Sequence, residues 1–303
     1  MARFNRVYRL QIGQAGREGV EIALPIRIQF EIAKDAGEQP NGHKISLYNL
    51  APATRSRIEL PDLRCLLYAG YAEEGGPMLL AAGSITGAHT RFEGSDVVTE
   101  LEVHDGYVEI RDTAVTLGYG AGVSAAAIIR DLAKQMGLPL IMAHDVPDRI
   151  WRNGFSFYGP ARQALHKVVQ GTGLEWSIQN QTLQIVPKRG TTRRQAVELA
   201  AESGLVGYPE RSRAAASEKD KANAQKAKAH REMASAGQQR DGWRVQSLLV
   251  PQVNPGDLIR LRSRLADGFY RVESLRHTGD TEDGQWQTEL QLIDVNASPR
   301  SNR

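Results

Sequence analysis

Apolar and polar positions alternate through most of the first third of the chain. In "ALPIRIQFEIAKD", Ile26, Ile28, Phe30 and Ile32 fall on one side of an extended segment and Arg27, Gln29 and Glu31 on the other. That period of two marks a strand with one face in a core and the other in water. "RVYRLQIGQAG" and "KISLYNL" repeat it. "CLLYAGYAEE", "MLLAAGSITGAHTRFEG" and "VVTELEVHDGYVEI" follow between turns rich in Gly, Pro and Asp. Strands this short, with a turn every ~8–15 residues, predict an antiparallel barrel or sandwich over residues 1–117. Only "NLAPATRSRIEL" departs from the alternation. Its Asn and Pro ahead of a short polar–apolar run predict one brief helix.

The period changes after residue 117. "VSAAAIIRDLAKQMGL" places Ala126, Ile129, Leu132, Ala133 and Met136 three or four residues apart, with Ser124 as N-cap and Gly137 as stop, which predicts a helix. "GPARQALHKVVQGTGL" predicts a second, with Leu165, Val168 and Val169 inward. "LEWSIQNQTLQIVPK" then reads as a hairpin turning at "QNQT". Residues 118–190 are therefore expected to form a small α+β domain. Residues 191–241 have high helix propensity and, from Tyr208 onward, only Met233 as a large apolar residue. A stretch that cannot bury a face of its own is either an exposed helix lodged on a partner or a linker. Residues 242–303 return to strands, with "NPGD", "ADG" and "DTEDG" as turns. The expected fold class is α+β, mainly β: two antiparallel β domains, a small α+β domain and a charged Ala/Lys-rich helical segment.

Charge sharpens one part of this picture. Between Lys188 and Arg240 there are 12 Lys/Arg and 6 Asp/Glu, so this segment carries +6 while the whole chain carries +3. The rest is net negative, and it lacks the spread of basic residues interleaved with aromatics that a general nucleic-acid binder shows. No apolar run approaches the ~18 residues of a membrane span, and the start shows no apolar signal-peptide core. The one cysteine, Cys65, sits in an apolar strand-like run and reads as a buried, inert thiol.

Candidate chemistry is sparse. There is no P-loop. "GYGAGVSAAA" precedes a helix but follows strands of an antiparallel pattern, so it reads as a loop feeding a helix N-terminus. His43, His89, His104, His144, His166, His230 and His277 show no metal-ligand spacing. The stretch "RHTGDTEDGQWQTELQLID" is the most suggestive, gathering His277, Asp280, Glu282, Asp283, Glu289 and Asp294 around Trp286. Its alternation of Trp286, Thr288, Leu290 and Leu292 against Gln285, Gln287, Glu289 and Gln291 makes it a hairpin instead, with His277 and the acids at the bend and only water needed to satisfy them. No catalytic, cofactor-binding or metal-ligating residue is assigned, no cofactor is called for, and the chain is not expected to be an enzyme. Two alternatives stay open. One is a cell-wall- or carbohydrate-binding module using Trp151, Phe155, Phe157 and Tyr158. The other is a cell-wall hydrolase built on acids near His277.

Three stretches in order resemble the baseplate hub proteins of contractile-tailed bacteriophages and related injection systems. "IRIQFEIAKDAGEQPNGHKISLYNLAPATRSRI" is similar to the first tube-type β domain of such hubs, through Pro40-Asn41, Ile45 to Leu50 and Thr54-Arg55. The helix–helix–hairpin of 122–188 resembles their inserted domain. "LLVPQVNPGDLIRLRSRLADGFYRVESLRHTGDTEDGQWQTELQL" resembles the end of the second tube-type domain, through its "PGD", "G-x-Y-x-V", "HTGD" and "W-x-T". The resemblance implies a homotrimer forming a pseudo-sixfold ring at the end of the tail tube, in the virion's tail baseplate, made in the host bacterial cytoplasm. Its implied partners are itself, the tail tube protein, the central spike protein and other baseplate proteins, with DNA only as passing cargo. The net-negative part of the chain would suit the lumen, and the basic segment an acidic neighbour.

Overall fold

The alternating segments at the start of the chain become β1 (Arg6–Gly13), β2 (Val20–Ala23), β3 (Ile28–Asp35) and β4 (Gly42–Tyr48). After them come the short helix α1 (Pro52–Ile58) and the strands β5 (Arg64–Tyr71), β6 (Gly76–Glu93) and β7 (Asp96–His104). The computed structural model describes residues 4–14, 16–143, 146, 148–188, 190–192, 196–214 and 240–295. Leu10 and Ile12, Ile28, Phe30 and Ile32, Ile45 and Leu47, and Leu101 and Val103 all point into one core, closed by Ile58 of α1. The 18-residue β6 serves both layers of this sandwich. Its first half pairs with β5, and beyond a bulge after Ile85 its second half pairs with β7.

The first β unit ends at His104. The next strand, expected to belong to it, instead joins the α+β unit, because β8 (Ala114–Tyr119) follows a short helix, α2 (Tyr107–Asp112), and pairs with β12 (Phe155–Pro160). Between them lie β9 (Val123–Ser124), α3 (Ala125–Gln135), β10 (Leu140–Met142) and β11 (Ile150–Trp151). Ser124 caps α3 by accepting from the Ala127 N–H at 3.1 Å, and Gly137 supplies the left-handed φ of +69° beyond its end. The helix α4 (Ala161–Val169) and the hairpin of β13 (Leu174–Gln179) and β14 (Thr182–Pro187) complete a second, separate core. The hairpin turns on Asn180 and Gln181, both at positive φ, which is the two-residue turn that matches strand twist.

The second β unit corrects the reading of residues 191–241 as helix or linker. Residues 197–199 form β15 (Val197–Leu199) and residues 205–214 form β16 (Leu205–Ala214). β17 (Arg240–Leu248), β18 (Leu258–Arg262), β19 (Asp267–Asp280) and β20 (Trp286–Asp294) follow. β15 adds to β18 and β16 to β17, so both belong to the third core, built on Val245, Ile259, Leu261, Val272, Leu290 and Leu292. The strand pattern there was masked by charge, since Glu198, Glu202, Glu210 and Arg211 break the apolar alternation. The remainder of the Ala/Lys-rich segment, residues 215–239, lies outside the described residues.

The two β units share one sheet. β19 pairs with β18 through Asp267–Arg271 and with β3 through Ser274–Asp280, while β20 runs along its other edge. From β16 through β17, β20, β19, β3, β4 and β7 to β6, the hydrogen-bonded path crosses both units without a break. The fold is α+β and mainly β, with two mainly antiparallel sandwiches, β15 being parallel to β18, and an α+β unit whose core is distinct from either.

Candidate functional site

Each strand of that shared sheet sends one set of side chains into a core and the other into solvent. The outward set is polar in strand after strand: Gln29 and Glu31 on β3, Lys44 and Ser46 on β4, Glu100 and Glu102 on β7, Arg276 and Thr278 on β19, Glu289 and Gln291 on β20. Charges on this face are cancelled across strands. Arg276 pairs with Glu31, Arg244 with Glu289 at 3.1 Å, and Arg91 with Glu100 at 2.8 Å. Exposed pairs of this kind stabilise little, but they leave a broad face polar and close to neutral.

Two of the acids singled out by sequence, Asp280 and Asp283, line a groove of about 480 Å³ floored by Thr278, Gly279 and Asp280. His277 is not at the bend. It lies inside β19, fully buried, with Nδ1 2.8 Å from Thr288 Oγ1. Burial, with Lys34 and His43 nearby, drives its pKa well below the usual histidine value, so the ring is neutral. Asp280 is not left to water either. It takes two hydrogen bonds from Arg27, at 3.2 and 2.8 Å, and one from Gln29 at 2.7 Å. Burial alone would raise its carboxyl; the bonds from Arg27, Gln29 and the Glu282 N–H outweigh that and hold it low. Asp283 is exposed and Trp286 is packed edge-on against Phe30, centroids 5.1 Å apart. The constellation thus divides into a neutral core histidine, a structural carboxylate and solvated acids. Of the aromatic cluster, Phe155 is buried, Trp151 packs on it at 4.8 Å, and Tyr158 alone stands out, 85% exposed.

A second polar group was not read from sequence: a buried junction where the three units meet. Lys34, at the end of β3, donates to Asn180 Oδ1 at 2.9 Å and Asn254 Oδ1 at 2.8 Å. Asp105, fully buried after β7, accepts from the backbone N–H groups of Asn180 and, at 2.8 Å, Gln181. The Asn254 N–H donates to Asp257 at 2.9 Å, and Thr192 donates to the same carboxylate. Asn41 binds Ile178 O and Gln179 Oε1, and Gln179 returns a bond to Asp35 O at 2.7 Å. Burial lowers Lys34 to about 8 against the pull of Asp105 and Asp257, and burial raises Asp105 to about 6 against its two N–H donors and Lys34. His43 is pushed down to about 3 by burial, Lys34 and His104. The signal for these residues lay in the turns: Pro40-Asn41 and Pro255-Gly256-Asp257 both feed the junction. Their partners are too distant in sequence to be paired by pattern.

These bonds tie the three units together. Among the described residues no group of three or more His, Cys, Asp or Glu is placed to hold a metal ion, and no helix is long and apolar enough to cross a membrane.

Two sandwiches sharing a sheet, with an inserted α+β unit, give a fold similar to that of solved phage tail proteins. No family model matches the sequence, and no curated protein matches it, so the likeness lies in solved structures. A tail protein from Neisseria meningitidis MC58 is similar over 95% of this chain and 96% of its own, with a TM-score of 0.60 at 12% identity. The 43 kDa tail protein of prophage MuSo2 from Shewanella oneidensis is similar over 95% and 98%, with a TM-score of 0.60 at 11% identity. An E. coli component of the type VI secretion system, described as structurally similar to the T4 tail proteins gp27 and gp5, is similar over 93% of this chain and 76% of its own. Its TM-score is 0.59 at 11% identity.

Proposed function

We propose that this chain is a structural hub of a contractile phage-type tail. Three copies form a ring at the end of the tail tube, with the tube protein on one side and the central spike and other baseplate proteins on the other. Its place is the virion's tail baseplate, after synthesis in the host cytoplasm. It works through interfaces and not through a reaction. The observation that carries this reading is the unbroken sheet from β16 to β6, whose outward face is polar and charge-cancelled across both β units. Eight strands about 4.8 Å apart span an arc of about 34 Å. Such arcs joined edge to edge would give a channel wall on which DNA finds few cationic groups to grip, so DNA is cargo in transit. The fold likeness to phage tail proteins and to a type VI secretion component supports the same reading.

The test combines native mass spectrometry of the purified chain with protein analysis of purified particles. A closed trimer, and presence in the particles in a small fixed copy number, is the expected result. Absence from the particles would overturn the proposal.

A further inference from the structure

The seam between the two β units carries two histidines on its buried side, one from each unit. His277 of β19 stands opposite Ile32 of β3, and Ile32 stands opposite His43 of β4, so the two rings flank Ile32. Lys34 follows on the same side of β3, two residues further along. All three are buried, and the inward neighbours along these strands, Ile32, Ile45, Val103 and Leu275, are apolar. Among the described residues, the charged groups that face the rings are basic: Lys34 and His43 face His277, and Lys34 and His104 of β7 face His43. The acids of the junction, Asp105 and Asp257, face Lys34 instead. Hydrogen bonding favours the neutral rings too, because an imidazolium donates from both nitrogens. Nε2 of His277 is buried with no acceptor, and Nδ1 has Thr288 Oγ1, which already accepts from the Val250 N–H at 3.0 Å. The Gly42 carbonyl lies near His43, but neither of its ring nitrogens closes a hydrogen bond. A proton on either ring would make a buried cation beside Lys34 with at least one stranded N–H.

We propose that His43 and His277 make the β3–β19 seam an acid-operated latch, which holds the two β units as one body at neutral pH and lets them part in mild acid. When β19 leaves β3, His277 reaches water at once and His43, on the next strand in, follows. Each then takes a proton that the closed form refuses. Closed, both rings sit below the ordinary histidine value of about 6.5; open, they return to it. The latch is therefore at full strength above about 6.5 and weakens as pH falls below it. Between pH 7 and pH 5 each histidine raises the ratio of open to closed form about 25-fold, and the pair about 600-fold. Lys34, lowered to about 8, is already a cation across this range and adds no slope of its own. Asp280, held low by Arg27 and Gln29 across the same seam, titrates below this range. Asp105, raised to about 6, takes up a proton in the closed form and opposes opening by about tenfold, which leaves a net rise of about 60-fold.

Hydrogen–deuterium exchange of the full chain at pH 7 and pH 5, read by mass spectrometry and corrected for the intrinsic exchange rate, tests the latch. Amides of β3, and of β19 from Ser274 to Asp280, are expected to open about 60-fold more readily at pH 5. Those of β13 and β14, in the separate α+β core, should change less than about threefold. His277→Asn, which keeps a polar partner for Thr288, and His43→Leu are each expected to remove about 25-fold of the rise. The double variant should lose it altogether and, with Asp105 left alone, close more tightly in acid. Equal protection of the seam at both pH values in the unaltered chain would overturn the proposal, with no variant needed. So would an undiminished acid response in the folded double variant, or a loss of protection that spreads evenly over all three cores. The latch does not rest on the hub reading, and its failure would leave that reading untouched.

Discussion

The tip of the Phe30 ring lies against Gly279, at the seam where β3 of the first unit meets β19 of the second. A Cβ at Gly279 would fall within 3.0 Å of three ring carbons, and the ring has no room to retreat because Trp286 packs against it. Gly279→Ala is expected to cost about 3 kcal/mol by overpacking, read as a lower midpoint in urea unfolding. Gly94→Ala is the contrast, because a Cβ there meets nothing within 4 Å. Its cost is confined to the strain of a positive φ, about 1 kcal/mol.

Asp105 holds the turn of the β13–β14 hairpin through two backbone N–H groups. Asp105→Asn turns one acceptor into a donor facing a donor in a buried site. The expected loss is about 3 kcal/mol. Proteolysis at the unit boundaries should accelerate, since this bond ties the α+β unit to the first sandwich.

Lys34 makes stability rise on the alkaline side. Its folded value is lowered to about 8 from an ordinary 10.5, so the fold accommodates the neutral amine better than the cation. Stability from this group is full above 10.5 and is lost as pH falls through about 8. Asp105 has the opposite sign: raised to about 6, it contributes most below its ordinary 3.8 and less as pH rises through 6. Thermal unfolding followed from pH 8 to 10 should show the Lys34 contribution as an upward slope. Lys34→Met should remove that slope; an unchanged slope would show that the amine titrates normally.

The acids of the β19–β20 hairpin should separate on substitution. Asp280→Ala strands the donors of Arg27 and Gln29 and is expected to lower stability by about 2 kcal/mol. Asp283→Ala, in solvent, should stay within about 0.5 kcal/mol. Neither variant should change any activity on cell-wall material; loss of a lytic activity in both, with folding intact, would establish a site there.

Local chemistry was legible where it was self-sufficient. The "QNQT" turn, the Ser124 cap and the alternation of Ile28, Phe30 and Ile32 each depend on residues within a few positions of one another. β16 was hidden because an edge strand of a polar sheet carries Glu210 and Arg211 where an apolar rhythm would betray it. His277 was misplaced for a related reason: Gly and Asp after it announce a turn, yet β19 continues three residues further, through Asp280, to reach Gln29. The junction of Lys34, Asp105 and Asn254 was beyond any local pattern. Its members stand up to 220 residues apart, and only the assembled fold makes them neighbours.

The β3–β19 seam has a consequence for the order of folding. Its contacts, such as Arg276 with Glu31, span 245 residues, so the seam closes only after most of the chain has been made. Until then β3 waits with an open edge that the β19 of another chain can pair. A newly made first sandwich can be captured by the second unit of another unfinished chain before its own second half arrives. Rapid synthesis at high concentration should therefore yield strand-exchanged aggregates, and slow synthesis should yield clean monomers or rings.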